Sequence, residues 1–442
     1  MRIDRLKVTH FKGFNSREFM FHPQFNLIVG MNGTGKTSVL DALGVTTGVW
    51  HIGMKNNVIN LIHPDAIRLC QFKHKDSTED EEYHSNIQWE HVYPCEVSAS
   101  GLVQGQNLSW TISQTSQSRF SVVEGSTRIM QMAAETAQSI RNGSNIPLPL
   151  ISYYSLGRSR QEPHGSSKIT DPMEIVSKED QSRLSEYWNS VDPNFSVIHL
   201  TRWIARQSWI AFQQSSRVPP VFLAVKKAMV SCIEGASDLY FDPNLGEVVV
   251  ALSTGTLPFS YLSDGQRSML AMVGDIALKA AKLNPQFGST VLEETSGVVL
   301  VDELDLHLHP RWQRGVIEDL RRVFPKIQFI CTTHSPFLIQ SLRSGEELIV
   351  LDGQPTAEVA NKSIEEVALG IQGVNGIHVS QRYKEMENTA QRYLEMLEQG
   401  SAVPRDQLEA FKNRLAGELM PYADNPAFQA FLEMKRAAKL GS

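Results

Sequence analysis

The sequence predicts an α/β protein with a mostly parallel core sheet, an antiparallel β subdomain, an inserted helical lobe and a helical C-terminal tail. Three observations predict it. Residues 297–301 (GVVLV) are a continuous apolar run, as expected of a parallel strand covered on both faces. An amphipathic helix over 311–323, opened by Pro310, separates that run from a second buried strand at 327–331, and a third follows at 348–351. Strand, helix and strand in that order imply right-handed crossovers and parallel neighbours.

The remaining elements follow in chain order. Residues 2–11 alternate, with Ile3, Leu6 and Val8 on one face, and 26–29 form a brief apolar strand ending at Gly30. A helix is expected over 38–43. Residues 66–125 read as antiparallel, with strands at 93–98, 108–113 and 119–123 between Gly, Gln and Ser turns. The acidic run 76–82 (DSTEDEE) is expected to be a solvated hairpin tip. Helical spacing returns over 127–141, and an apolar strand over 148–154. Residues 157–182 are polar and Ser/Pro-rich, which predicts a long loop or linker. Helices are expected within 183–235, with Trp188, Leu200, Trp203 and Ile210 at face spacings. Pro219-Pro220 breaks them before a further helix over 221–233. Strands return at 239–241 and 248–252. After about residue 380 the pattern predicts two or three helices. One apolar stripe comprises Tyr383, Met386, Ala390, Tyr393, Leu394 and Leu397; another comprises Leu408, Phe411, Leu415 and Leu419. There is no internal repeat and no sustained heptad pattern.

Composition bounds the class. Among 442 residues, 41% are hydrophobic and 20% charged, enough for a sizeable core. A net charge of −6 excludes a uniformly basic nucleic-acid coat, although not a local basic groove. No apolar run approaches the roughly 20 residues of a membrane span. The opening MRIDRLKVTHFKGF has no long apolar stretch, so no signal peptide is expected. Cys70, Cys95, Cys232 and Cys331 lie far apart with no C-x-x-C, which reads as buried thiols of a cytoplasmic protein rather than a disulfide set or zinc site.

Four motifs carry chemistry. The first is Gly30-Met-Asn-Gly33-Thr-Gly35-Lys36-Thr37, a full G-x-x-x-x-G-K-[ST] match between a strand and a helix. Its glycines let successive N–H groups face phosphate oxygens, and the helix N-terminus adds partial positive charge. Asn32, Gly33, Thr34, Gly35, Lys36, Thr37 and Ser38 are the candidate ATP contacts. Lys36 would bridge the β- and γ-phosphates, and the Thr37 hydroxyl would ligate Mg²⁺. The second is Asp302-Glu303 at the end of the 297–301 strand, a Walker B arrangement. Asp302 would hold Mg²⁺, through water, and Glu303 would polarise the attacking water. The third is Leu262-Ser263-Asp264-Gly265-Gln266-Arg267, opening a long helix. Ser263, Gly265 and Gln266 are candidate phosphate contacts; taken alone, the segment also fits an ordinary cap by Ser263 or Asp264. The fourth is Thr332-Thr333-His334-Ser335-Pro336, in which His334 would reach the γ-phosphate and hold the attacking water.

In this order the four motifs resemble those of ABC-type ATPase heads over roughly residues 1–355. The resemblance implies that two heads sandwich two ATP molecules, each γ-phosphate lying between one chain's P-loop and the other's signature. Dimerisation then becomes part of the mechanism. It divides the chain into 1–170 (P-loop and antiparallel subdomain), 171–260 (helical lobe and returning strands), 261–355 (signature, Walker B and switch His) and 356–442 (helical docking or oligomerisation region). A narrower set comprises Tyr153-Tyr154-x-x-Gly157-Arg158, the 302–313 run DELDLHLHPRWQ, the 324–330 run FPKIQFI and the ending DNPAFQAFLEMKRAAKLG. These resemble the PtuA-like ABC-type ATPases of Septu and retron-associated anti-phage systems. That resemblance implies a homodimer or higher oligomer and an HNH-type nuclease partner, PtuB. It also implies DNA contacted indirectly through the complex, and no membrane. Two departures stand out: Asp264 replaces the second glycine of the usual LSGGQ signature, and His309 stands where many such heads have a D-loop Asp. Gln161 is the candidate Q-loop residue. Phe14 reads either as an adenine-stacking residue or as core.

Two other functions compete. A DNA-repair clamp of the RecF kind would lack the nuclease partner. A transporter subunit is disfavoured by the long stretch between Lys36 and Ser263. Residues after His334 contain no Asp-x-Asp pair, so the chain is not expected to cut DNA itself.

Overall fold

Local alternation and burial set the first sheet. The chain opens with a hairpin, β1 (Arg2–Phe11) and β2 (Phe14–Met20), whose register runs from Arg5 opposite Met20 to Phe11 opposite Phe14. Ile3, Leu6 and Val8 are buried while Arg5 and Lys7 between them are exposed, the period-2 pattern of a half-covered strand. The computed structural model describes residues 1–55, 61–73, 87–116, 119–122, 124–155, 182–187, 197–214, 218–352, 363–364, 366–367, 381–399, 413 and 426–440. The chain divides into two units, Met1–Val367 and Ala368–Ser442.

In the first unit β3 (Phe25–Val29) is buried throughout and feeds α1 (Lys36–Lys55). This helix is far longer than the 38–43 expected, because Gly44, Gly48 and Gly53 and the Val45-Thr46-Thr47 run weaken its local signal. Packing overrides propensity here. Val39, Leu40, Leu43, Val49 and Trp50 are buried, and Gly53 lies so close to α2 (Glu124–Arg141) that a Cβ would sit 2.3 Å from the Met130 carbonyl. Between these helices, β4 (Leu69–Lys73) pairs with β5 (Ile87–His91), while β6 (Cys95–Val103), β7 (Gln106–Ser116) and β8 (Arg119–Val122) extend the opening hairpin. The result is a five-stranded antiparallel sheet in the order β2-β1-β6-β7-β8. The strand expected from residue 93 begins only after Pro94, which has no N–H to donate to the ladder.

After β9 (Leu150–Tyr154) come α3 (Val197–Gln213) and α4 (Pro220–Ser231). An antiparallel sheet follows, of β10 (Ala236–Asp242), β11 (Glu247–Leu252) and β12 (Gly255–Pro258). Then come α5 (Asp264–Leu283), β13 (Gly297–Val301), α6 (Val316–Val323), β14 (Ile327–Thr332) and β15 (Leu348–Val350). The single helix expected over 311–323 is split into a short turn, Pro310–Gln313, and α6, with Gly315 at the break. β15, β3, β14, β13 and β9 form the core sheet in that order, and every neighbouring pair is parallel. α1 touches both the parallel and the antiparallel sheets.

The second unit contains α7 (Gln381–Gln399) and α8 (Pro426–Leu440), packed through Tyr393, Leu397 and Leu432. The stripe at Leu408, Phe411, Leu415 and Leu419, the acidic run 76–82, and Gly157, Arg158, Gln161 and Trp188 lie outside the described residues. All four cysteines are free. Cys95 and Cys331 are buried, but Cys70 and Cys232 are only half-buried, because each sits near an element edge rather than in the core. Among the described residues, no helix is long and apolar enough to cross a membrane.

Candidate functional site

Strand order brings the motifs together. Because the core sheet is parallel, the ends of β3, β14, β13 and β9 lie along one edge, the usual place for ligand chemistry in an open α/β sheet. β14 lies between β3 and β13, so the residues after it fall between the P-loop and the acid pair.

The P-loop turns from β3 into α1. Gly33 and Gly35 have φ of +83° and +99°, left-handed conformations that explain glycine at both places. Lys36 is the first residue of α1, and its Nζ donates to the carbonyls of Gly30 (2.8 Å) and Met31 (3.0 Å). Thr34 Oγ1 also donates to the Met31 carbonyl (2.9 Å), and the Met31 N–H donates to Asp352 Oδ2 (2.8 Å) just beyond β15. The first-turn N–H groups of α1 have no acceptor within the helix, which makes this end an anion cradle. Asn32 and Gly33 are exposed and Ser38 is half-buried. Burial lowers the Lys36 pKa below the ordinary lysine value, while the carboxylates of Asp352, Asp302, Glu303 and Asp305 act in the opposite sense. Phe14 packs into this loop. A Cβ at Gly35 would lie 2.6 Å from its Cζ, and its ring meets Phe19 edge-on at 5.8 Å. It is buried beside the P-loop glycine.

The acid pair follows β13. Asp302 is 2% exposed and accepts from Thr37 Oγ1 through Oδ2 (2.9 Å) and from Thr332 Oγ1 through Oδ1 (2.5 Å). Glu303 has φ of +50°, uncommon for a residue with a Cβ, and its N–H donates to the same Thr332 oxygen (2.7 Å). One residue on, Thr333 Oγ1 donates to Asp305 Oδ1 (2.5 Å). His334 is exposed beyond the end of β14. From β9, the Tyr153 hydroxyl donates to Asp41 Oδ1 (2.8 Å), and Asp41 also pairs with Lys12. Burial first, and Asp41 second, hold the Tyr153 phenol far above its usual pKa, so it remains a donor. Thr37 and Asp302 are hard oxygen donors already in contact, a set that suits Mg²⁺. Among the described residues no group of three or more His, Cys, Asp or Glu side chains is placed to hold a metal ion.

Sequence reasoning assigned no role to Thr332, Tyr153, Asp41 or Asp352. A signal existed for Thr332: it ends an otherwise apolar buried strand, and a buried hydroxyl needs partners. The other three depend on tertiary pairing.

The signature turn is built separately. Ser263 caps α5 in a complete capping box with Gln266, and Asp264 forms an ion pair with Arg267. The charge that Asp264 brings is thereby offset. Gly265 is buried; a Cβ there would lie 2.5 Å from the His307 carbonyl, and His307 itself has φ of +64°. Ser263, Gly265, Gln266, His307, His309 and Trp312 are among the lining of an open groove that includes no P-loop residue. His309 takes up a local task, its Nδ1 accepting from the Arg311 N–H (3.3 Å). The structure thus gathers Lys36, Thr37, Asp302, Glu303 and His334 at neighbouring strand ends of the core sheet. Ser263, Gly265 and Gln266 lie in a different groove of the same chain.

This parallel sheet, with its antiparallel partner, P-loop and adjacent acid pair, has the arrangement expected from the resemblance to ABC-type ATPase heads. Residues 5–202 match a family model described as an AAA domain. Residues 137–340 match one described as an AAA domain, putative AbiEii toxin, type IV TA system. The chain resembles the PtuA-like ATPases of Septu and retron systems. It is 37% identical over 130 residues to a retron Ec83 probable ATPase of Escherichia coli, covering 29% of this chain and 24% of that protein. It is 34% identical over 127 residues to a Septu protein PtuA of Bacillus thuringiensis (29% of this chain, 32% of the relative). A PtuA of Bacillus mycoides is 28% identical over 239 residues, covering 52% and 30%. The match thus spans about a third or less of the length of these relatives. A solved Smc head bound to the C-winged helix domain of ScpA covers 77% of this chain and 92% of its own, at 16% identity and a TM-score of 0.44.

Proposed function

We propose that this chain is the ATP-binding and ATP-hydrolysing subunit of an anti-phage defence complex, in which an ATP-dependent sandwich of two heads regulates a partner HNH-type nuclease, PtuB. The reading rests above all on Thr37 and Asp302, 265 residues apart in sequence and 2.9 Å apart in space beside the P-loop. Relatives named as retron ATPases and Septu PtuA support the defence context.

The residues divide the work. Backbone N–H groups over 32–38 cradle the phosphates, and Lys36 leaves the Gly30 and Met31 carbonyls to bridge the β- and γ-phosphates. Thr37 and Asp302 would hold Mg²⁺, which supplies charge neutralisation at the phosphates when bound. Glu303 orients the attacking water and accepts its proton. His334 holds that water against the γ-phosphate. Ser263, Gly265 and Gln266 complete the site of a second copy, which is consistent with their lying in a groove apart from their own P-loop. ATP binding and hydrolysis favour different assemblies, so turnover is slow and serves as a switch on the partner.

Subunit mixing tests the sandwich. Lys36→Ala and Ser263→Arg are each expected to be inactive alone, yet to regain part of the ATPase rate when mixed, because a mixed dimer holds one intact composite site. Absence of any regain would overturn the shared-site reading. A pull-down that recovers double-stranded DNA but no second protein would favour the RecF-like clamp.

A further inference from the structure

Thr332 stands at the centre of the acid pair, and the proposed function gives it no task. It is fully buried at the end of β14. A threonine hydroxyl has one hydrogen to donate and lone pairs to accept with. Here the hydrogen goes to Asp302 Oδ1 (2.5 Å), and a lone pair receives the Glu303 N–H (2.7 Å). The first bond occupies one carboxylate oxygen, leaving Oδ2 to face Thr37 at 2.9 Å. The second holds Glu303 in a left-handed backbone conformation that a residue with a Cβ seldom adopts unaided. The Thr332 carbonyl accepts from the Leu304 N–H (2.9 Å), so both ends of this residue grip residues 302–304. Its neighbour repeats the device one step along, Thr333 to Asp305.

We propose that Thr332 is a positioning residue for the nucleotide site: it selects the Asp302 oxygen presented toward Thr37 and fixes the backbone that aims Glu303. This rests on the nucleotide-site reading given above. A valine at 332 keeps the shape and removes both bonds; a serine keeps the hydroxyl. Binding of a fluorescent ATP analogue is measured with Mg²⁺ and with EDTA in the full-length chain, alongside thermal unfolding. For Thr332→Val, the affinity gained on adding Mg²⁺ should fall roughly tenfold or more, the usual cost of losing a group that orients a metal ligand, while affinity in EDTA stays near wild type. Thr332→Ser should restore the Mg²⁺ response. Should Thr332→Val not fold, Thr332→Ser against Thr332→Cys makes the same comparison, since the two are alike in size and only serine donates strongly. An unchanged Mg²⁺ response in the hydroxyl-free variant, with Lys36→Ala losing nucleotide in both conditions, would overturn the role of Thr332 and leave the nucleotide site standing. A wild-type chain that binds no ATP would overturn the site itself.

Discussion

At the scale of single residues, the roles proposed for the P-loop lysine and the acid pair separate binding from chemistry. Lys36 is almost buried and held by two backbone carbonyls, poised where a triphosphate would draw it away. Lys36→Ala should weaken ATP binding at least tenfold, read by equilibrium titration, since a charge-assisted contact to phosphate is lost. Glu303→Gln should leave affinity nearly unchanged and abolish phosphate release, because the amide keeps the shape but cannot take a proton. Equal affinity in wild type and Lys36→Ala would contradict the assignment. Cys95 is fully buried with its thiol pushed up to about 12, so the folded protein at pH 8 should leave it unalkylated by iodoacetamide.

At the scale of elements, two junctions carry their own tests. The start of α5 depends on the Ser263–Gln266 box, and Ser263→Ala should lower stability by about 1 kcal/mol in denaturant unfolding. If the same change also weakens nucleotide-dependent dimerisation, the serine serves both cap and partner; a pure cap would leave association intact. The other junction ties α6 to the turn before β15. Arg321 and Glu347, 3% and 2% exposed, pair at 2.5 Å, and Arg321 also meets Glu318. Arg321→Met should cost roughly 3–5 kcal/mol by taking the arginine partner from the buried Glu347, which keeps the Arg343 N–H at 2.8 Å and His22 at 3.9 Å. The double variant with Glu347→Leu should recover most of that loss.

At the scale of the whole molecule, the proposed sandwich makes oligomeric state depend on nucleotide. Sedimentation with a non-hydrolysable ATP analogue should show a heavier species than the nucleotide-free chain, and Lys36→Ala should not respond. The purified chain alone should leave DNA intact in Mg²⁺; cleavage abolished by changing its own acids would refute that. Much of this architecture was legible because its signals are local: five-residue apolar runs mark buried strands, and the glycine spacing of 30–37 fits one kind of turn. The length of α1 was not legible, because glycines that weaken an isolated helix sit here at close contacts, Gly48 against Leu61 and Gly53 against Met130 of α2. Nor was the break at Gly315, where propensity and amphipathic spacing disagree.

The amino-acid order by itself determined the parallel core, the antiparallel subdomain and the candidate residues of the P-loop and the acid pair, since each is written in a short segment. Only the tertiary structure decided that β14 lies between β3 and β13, that Thr332 and Tyr153 stand beside the acid pair and Asp41, and that Gly265 rests on His307. The physical reason is distance along the chain. Hydrogen bonds between residues 29, 112 or 265 positions apart leave no periodic trace in the sequence, and only folding brings such donors and acceptors together.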